Sequence, residues 1–289
     1  MRRPLSKRQA SNQSPDWDGL HEGVPDWLVQ FLLDWSASFF VTRGYESYER
    51  DRKTLHAIEV SLRRPLNWAV NNQGAWNDLC SAMVADREFM LDVIDWCVAR
   101  VDALLLGVPD VVSGLDRALA AGGSAWTVGR DGGGVLELQR RIAPEVVAAI
   151  ESSSTSNTRS ATHLRVAFSK AYGRDPSASE SYRESVRAVE VAAIPVISPN
   201  NAAATLGTMI RDIQQKPEKW QTVFRPPDSL IDMQVVISMM ELLWKSQLDR
   251  HGTPDAATPL NVSREEAEAA LHLAATLVHW FTSGAVVQI

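Results

Sequence analysis

The sequence predicts a mainly α protein: a helical N-terminal part, a short β-hairpin and a C-terminal helical bundle. Three observations predict it. Apolar residues recur at three- and four-residue intervals in one segment after another, the pattern of helices that bury one face. Ser177 with Glu180, and Ser263 with Glu266, have the spacing of a capping box at a helix start. Between residues 124 and 140 the texture changes to apolar runs on either side of a glycine cluster, which suits two strands and a turn.

Residues 1–24 are polar and basic at their start and read as a flexible arm. Residues 25–123 read as an N-terminal helical domain. Pro25 can open its first helix, where "WLVQFLLDWSASFF" sets Leu28, Phe31, Leu32, Trp35 and Phe39 at helical spacing. "YERDRKTLHAIEVSLRR" continues in helical style to Pro65, and "AWNDLCSAMVADREFMLDVIDWCVARVDALLLG" suggests one or two packed helices ending at Gly107. "PDVVSGLDRALAAGG" is a further helix with a double-glycine stop.

Residues 124–152 read as the hairpin and a connecting helix. Trp126 and Val128 face Val135, Leu136 and Leu138 across Asp131–Gly134. That glycine run lacks the lysine and following hydroxyl residue of a phosphate-binding P-loop, so a turn is the better reading. "SSSTSN" then marks a hinge or exposed loop. Residues 153–289 carry five helical segments. In the second, Tyr182, Val186, Val189 and Ala193 form an apolar stripe beside a polar one of Arg183, Arg187 and Glu190. The fourth, "LIDMQVVISMMELLWKSQL", is apolar almost all round and is expected at the bundle centre.

Apolar and charged fractions of 45% and 22% are those of a soluble globular chain. A net charge of −6 excludes a global basic field that would gather nucleic acid, though not a local one. No secretory leader or apolar run of about 20 residues is apparent, which predicts a cytoplasmic protein with no membrane contact. Cys80 and Cys97 read as buried thiols rather than a disulfide, and the ten tryptophans, which fall singly along helical stretches, as core anchors.

One polar cluster stands out. "LLWKSQLDRHGTPD" ends an apolar helix in Lys245, Gln247, Asp249, Arg250 and His251 before Gly252. Two readings fit. A basic last turn complements the helix dipole, and the glycine supplies a left-handed stop. Alternatively, His251 can move a proton while Arg250 and Lys245 stabilise a phosphate, the set that RNA cleavage needs when no metal takes part.

The stretches "HLRVAFSKAYGRDPSASESYRESVRAVEVAAIPVISPNNAAATLGTMI", "WKSQLDRHG" and "SREEAEAALHLAATLVHWF" resemble the abortive-infection C-terminal domain, a branch of the HEPN superfamily of helical bundles. The preceding "SAWTV…LELQRRIAPEV" resembles the element often found before that domain. The resemblance implies a HEPN-like bundle over 153–289, a homodimer, RNA as substrate, no cofactor, and a phage or host protein as trigger. It also implies antiviral defence or a toxin-type endoribonuclease, with catalytic His251, Arg250 and Lys245 supported by Gln247, Asp249, Glu190 and Arg187. The family places four to six residues between an arginine and its histidine; counted back from His251, the positions for that arginine hold Ser246, Lys245 and Trp244. Lysine lacks the bidentate fork of arginine. A non-catalytic sensor or adaptor, dimerising through the bundle and binding a partner through residues 25–123, is the alternative; a phage structural protein is a third.

The remaining histidines carry less. Arg50 and His56 have suitable spacing, but six residues turn a helix through about 600°, so a solvated face is the simpler reading. His272 and His279, seven apart, suit helix packing. His163, at the start of the first bundle helix, could face the site, though no spacing assigns it there.

Overall fold

A computed structural model describes the backbone of residues 20–43, 48–66, 68–69, 71–101, 108–143, 147–148, 150, 158–224, 229–245 and 262–289. The expected arm over residues 1–19, the "SSSTSN" hinge, and Gln247, Asp249, Arg250 and His251 lie outside the described residues. The chain is mainly helical, and it divides into two compact units: residues 1–129 with 135–141, and residues 130–134 with 142–289.

In the first unit, helices α1 (Asp26–Ala37), α2 (Arg52–Ser61), α3 (Asn72–Ala85), α4 (Arg87–Val98) and α5 (Val108–Ala121) share a core centred on Phe40, Leu55, Ile58, Leu79, Met83, Met90 and Ile94. The long segment expected from Ala75 breaks at Asp86, whose carboxylate accepts from Phe89 N and caps α4; its expected end at Gly107 lies outside the described residues. A short ribbon pairs β1 (Val41–Arg43) antiparallel with β2 (Tyr48–Arg50), so Tyr48–Arg50 is strand where helical style was expected. Asp51 then starts α2 by accepting from Lys53 N. The hairpin of β3 (Trp126–Arg130) and β4 (Leu136–Arg140) forms as expected, with Trp126, Leu136 and Leu138 buried and Gly134 at φ +87°. Leu138 N donates to Asp95 on α4, 2.6 Å away. Cys80 and Cys97 are free thiols, and burial of Cys97 is complete.

The second unit is a bundle of α6 (Thr158–Tyr172), α7 (Ala178–Ile197), α8 (Leu206–Gln215), α9 (Ser229–Lys245) and α10 (Arg264–Thr282). Its centre is α7, not the more apolar α9. α7 packs along α6 and α10 and also meets α8, while α9 lies against α8 and α10 and leaves Val235 and Leu242 exposed. The reason is visible in α7: Ser181, Ser185, Ala188 and Ala192 form a buried seam of small side chains. Ser160, Ala161, Ala167 and Ala171 of α6 are buried as well, and α6 packs along α7. Ser181 Oγ donates across the seam to the Ala167 carbonyl at 2.8 Å.

A second ribbon, β5 (Trp220–Thr222) with β6 (Val286–Gln288), buries Trp220, Thr222 and Val286. The histidines of α10 differ: His272 Nε2 meets Tyr172 Oη of α6, whereas no contact across helices is seen for His279 among the described residues. His272 and His279 are exposed, and the packing face is Ala267, Leu271, Ala274, Val278 and Phe281. Helix α10 starts with both halves of its capping box: Glu266 N donates to Ser263 Oγ, and Ser263 N to the Glu266 carboxylate. Ser263→Ala is therefore expected to lower stability by about 1 kcal/mol, read as a shifted urea midpoint at unchanged slope.

Candidate functional site

The polar stripe of α7 sits between two edges. At about 100° per residue, Arg183 and Arg187 project between the Tyr182–Val186 face and Glu184. Tyr182 and Val186 are buried, the two arginines are exposed, and Glu184 is buried again at 6% exposure. Each edge of the stripe meets a different helix.

On the Tyr182 side lies the C-terminal end of α9. Tyr182 Oη donates to the Leu243 carbonyl at 2.9 Å. The indole of Trp244 fills the space beside Gly207, where any Cβ would sit 2.3 Å from the ring. Lys245 is the last residue of α9, whose end meets the Tyr182 edge of α7. Glu190 accepts a hydrogen bond from Leu206 N, 2.9 Å away, and so holds the first turn of α8.

On the Glu184 side lies α6. His163 Nδ1 is 2.6 Å from Glu184 Oε2, and Arg187 Nη1 donates to Glu184 Oε1 at 2.7 Å. Arg183 Nε stands 3.7 Å from the same Oε1. Burial alone would raise the Glu184 pKa. The hydrogen bond from His163 and the positive charge of Arg187 outweigh it and hold the carboxyl below its ordinary value. An ionised carboxylate only accepts, so Nδ1 of His163 carries the hydrogen of this bond and Nε2 takes no part in it. Among the described residues, the ring makes no other hydrogen bond, and its side chain is 27% exposed.

The stripe continues toward the α6–α7 turn. Lys170 Nζ lies 3.1 Å from Asp175 and 3.7 Å from Glu180, and Arg183 Nη2 is 3.7 Å from Glu180. The result is a line of alternating charges with the His163–Glu184 pair as its most enclosed member.

Of the expected residues, then, Arg187 and Glu190 stand on the stripe as read, but they do different things. Arg187 joins the imidazole cluster, while Glu190 caps α8 through one oxygen. Lys245 ends α9, and Gln247, Asp249, Arg250 and His251 lie outside the described residues. Arg50 and His56 do not come together. Arg50 ends β2, donates to the Ala37 carbonyl and stacks 4.3 Å over the Trp76 ring, whereas His56 lies between Arg52 and Glu59 on α2.

Glu184 escaped the sequence reading because its partner is 21 residues away on another helix. A signal exists all the same: it is a carboxylate bordering a run of buried small residues, where charge is costly unless paired. A further histidine contact joins Tyr172 Oη to His272 Nε2 at 3.1 Å, with burial and then Glu268 pushing the phenol up to about 12. Among the described residues no cluster of three or more metal-binding side chains forms, and no helix is long and apolar enough to cross a membrane. The chain matches no protein-family model, no curated protein and no solved structure.

Proposed function

We propose that the bundle acts on RNA, cleaving the phosphodiester backbone by attack of the ribose 2′-hydroxyl, in the manner of a HEPN-like defence or toxin protein. The observation that carries this reading is the His163–Glu184–Arg187 cluster: an oriented imidazole of α6 beside guanidinium groups of α7, the helix that also meets the end of α9.

The chemistry needs two proton carriers and positive charge at phosphorus. One imidazole takes the proton of the 2′-hydroxyl as its oxygen bonds to phosphorus. The P–O5′ bond breaks, and the leaving oxygen receives a proton from the other carrier. His251 fills one role and His163, through Nε2, the other. Arg250, Lys245 and Arg187 neutralise the phosphate, while Gln247, Asp249 and Glu190 orient the groups around it. Two copies paired about an axis would bring further cations to the same substrate, which fits a homodimer; a phage or host protein would then act as trigger.

His251→Ala is expected to reduce cleavage of a single-stranded RNA oligonucleotide by about 100-fold or more, with an unchanged circular-dichroism spectrum. Wild-type activity in that variant removes the catalytic assignment. The lysine at the position where the resemblance implies arginine favours a second reading, a non-catalytic adaptor. Wild-type protein that leaves RNA intact while retaining a protein partner through purification would select it.

A further inference from the structure

Helix α1 leaves an aromatic face open. Trp27 is 63% exposed, Phe31 stands exposed one turn later, and Asp34 follows on the same face. The indole is held in place: Trp27 Nε1 donates to the Gly122 carbonyl at 3.0 Å, and the His21 ring meets it edge-on at 5.4 Å. Leu20, exposed as well, adjoins His21, so the chain enters the fold beside Trp27. Residues 20–37 contain three carboxylates and no lysine or arginine. Glu22 is paired with Arg140 and Asp26 with Arg87. Asp34 accepts from Gln30 and has no cationic partner among the described residues. Charge is uneven on a larger scale too. Residues 20–129 hold fifteen Asp and Glu against nine Lys and Arg, whereas residues 1–10, outside the described residues, hold four Lys and Arg and no carboxylate.

We infer that this face is the docking surface for residues 3–7 of the same chain, with Arg3 on the Asp34 carboxylate, Leu5 on Phe31 and Lys7 over the Trp27 ring. Charge, position and spacing choose this occupant. The segment is cationic and the face offers one uncompensated carboxylate and an indole, the partners that guanidinium and ammonium groups favour. Twelve residues, 8–19, join Lys7 to Leu20, enough for the chain to turn back along α1 from beside Trp27. Alternate residues of an extended chain share one side, about 6.6 Å apart. Along the helix, Trp27 and Phe31 are about 6 Å apart, and Phe31 and Asp34 about 4.5 Å. Such a contact is weak by itself, but a tether of about a dozen residues supplies an effective concentration of about 1 mM. A contact with a Kd of about 0.1 mM is then closed about nine-tenths of the time. The segment acts as a resident competitor: a partner with the same pattern, cations alternating with an apolar residue, gains the face only by displacing it. The inference is independent of the RNA-cleaving reading, which concerns the bundle.

The test uses the full chain and a fluorescein-labelled peptide of residues 1–10, with binding followed by anisotropy. The double variant Arg3→Ala, Lys7→Ala frees the face and is expected to bind the peptide about tenfold more tightly than wild type. Adding Asp34→Lys or Phe31→Ser to that variant should remove the gain. Both positions are exposed, so the circular-dichroism spectrum should stay unchanged. Equal peptide affinity in wild type and the double variant overturns the inference, as does a gain that survives both added substitutions. Sedimentation identifies the other occupant, the same segment of a second copy. A wild-type dimer that Arg3→Ala, Lys7→Ala dissociates would put the contact between chains and overturn its assignment within one.

Discussion

Glu184→Ala is expected to cost about 2 kcal/mol of stability at neutral pH. The carboxylate is buried, and removing it leaves the imidazole of His163 without its hydrogen-bond acceptor and Arg187 without its nearest counter-charge. Loss of one partner from an enclosed pair costs roughly 3–5 kcal/mol. The figure is smaller here because both partners reach water and can be resolvated, with 27% and 52% of their side chains exposed. The pH dependence follows from the direction of the Glu184 shift. Its carboxyl is held below the ordinary value, so folding favours the ionised form. That contribution is fully present above the unfolded-state pKa of about 4.3 and is lost as pH falls through the lower folded value. Urea titrations should therefore show wild type and Glu184→Gln separated at pH 7 and converging below about pH 4. A constant gap across that range would mean that the carboxylate's charge contributes nothing to folding.

Phe40→Ala should have the largest effect on stability, about 3–5 kcal/mol in the first unit. Phe40 is fully buried, with its ring 5.3 Å from that of Trp76 and stacked 6.0 Å from Trp96. Truncation removes both aromatic contacts and leaves a cavity between β1 and α4 that stiff neighbouring rings cannot fill. Denaturation followed by tryptophan fluorescence checks it, since Trp76 and Trp96 report the site directly. A loss below about 1 kcal/mol would show that the core collapses around the gap.

Local rules made much of the fold legible. Apolar periodicity gives the five bundle helices, the Ser263–Glu266 spacing gives the start of α10, and the glycine run of Asp131–Gly134 gives the hairpin. What escaped depends on partners distant in sequence. Strands β1, β2, β5 and β6 have three residues each, too few for a period, and β5 pairs with β6 across more than 60 residues. Hydrophobicity also misidentified the bundle centre. α9 is more apolar than α7, yet packing favours the helix whose small side chains permit close approach. At the site, the alternating stripes of α7 were readable, but the pairing of His163 with Glu184 needs two helices in register. His279 shows the opposite failure: a spacing from His272 that suits helix packing, on a residue that packing leaves to solvent, while His272 keeps one contact to Tyr172.

The close contact between α6 and α7 bears on how this sequence can diverge. Ser181, Ser185, Ala188 and Ala192 carry no chemistry, yet all four are buried, so a valine or leucine there would overpack the core, and at Ser181, whose Oγ meets the Ala167 carbonyl, it would push α6 away and pull the His163 ring from Glu184. A saturation library screened for folded protein would accept little beyond glycine, alanine and serine at these four codons while tolerating many residues at Arg183. Invariance among descendants of this chain would then trace steric clearance first, and the reacting groups only second.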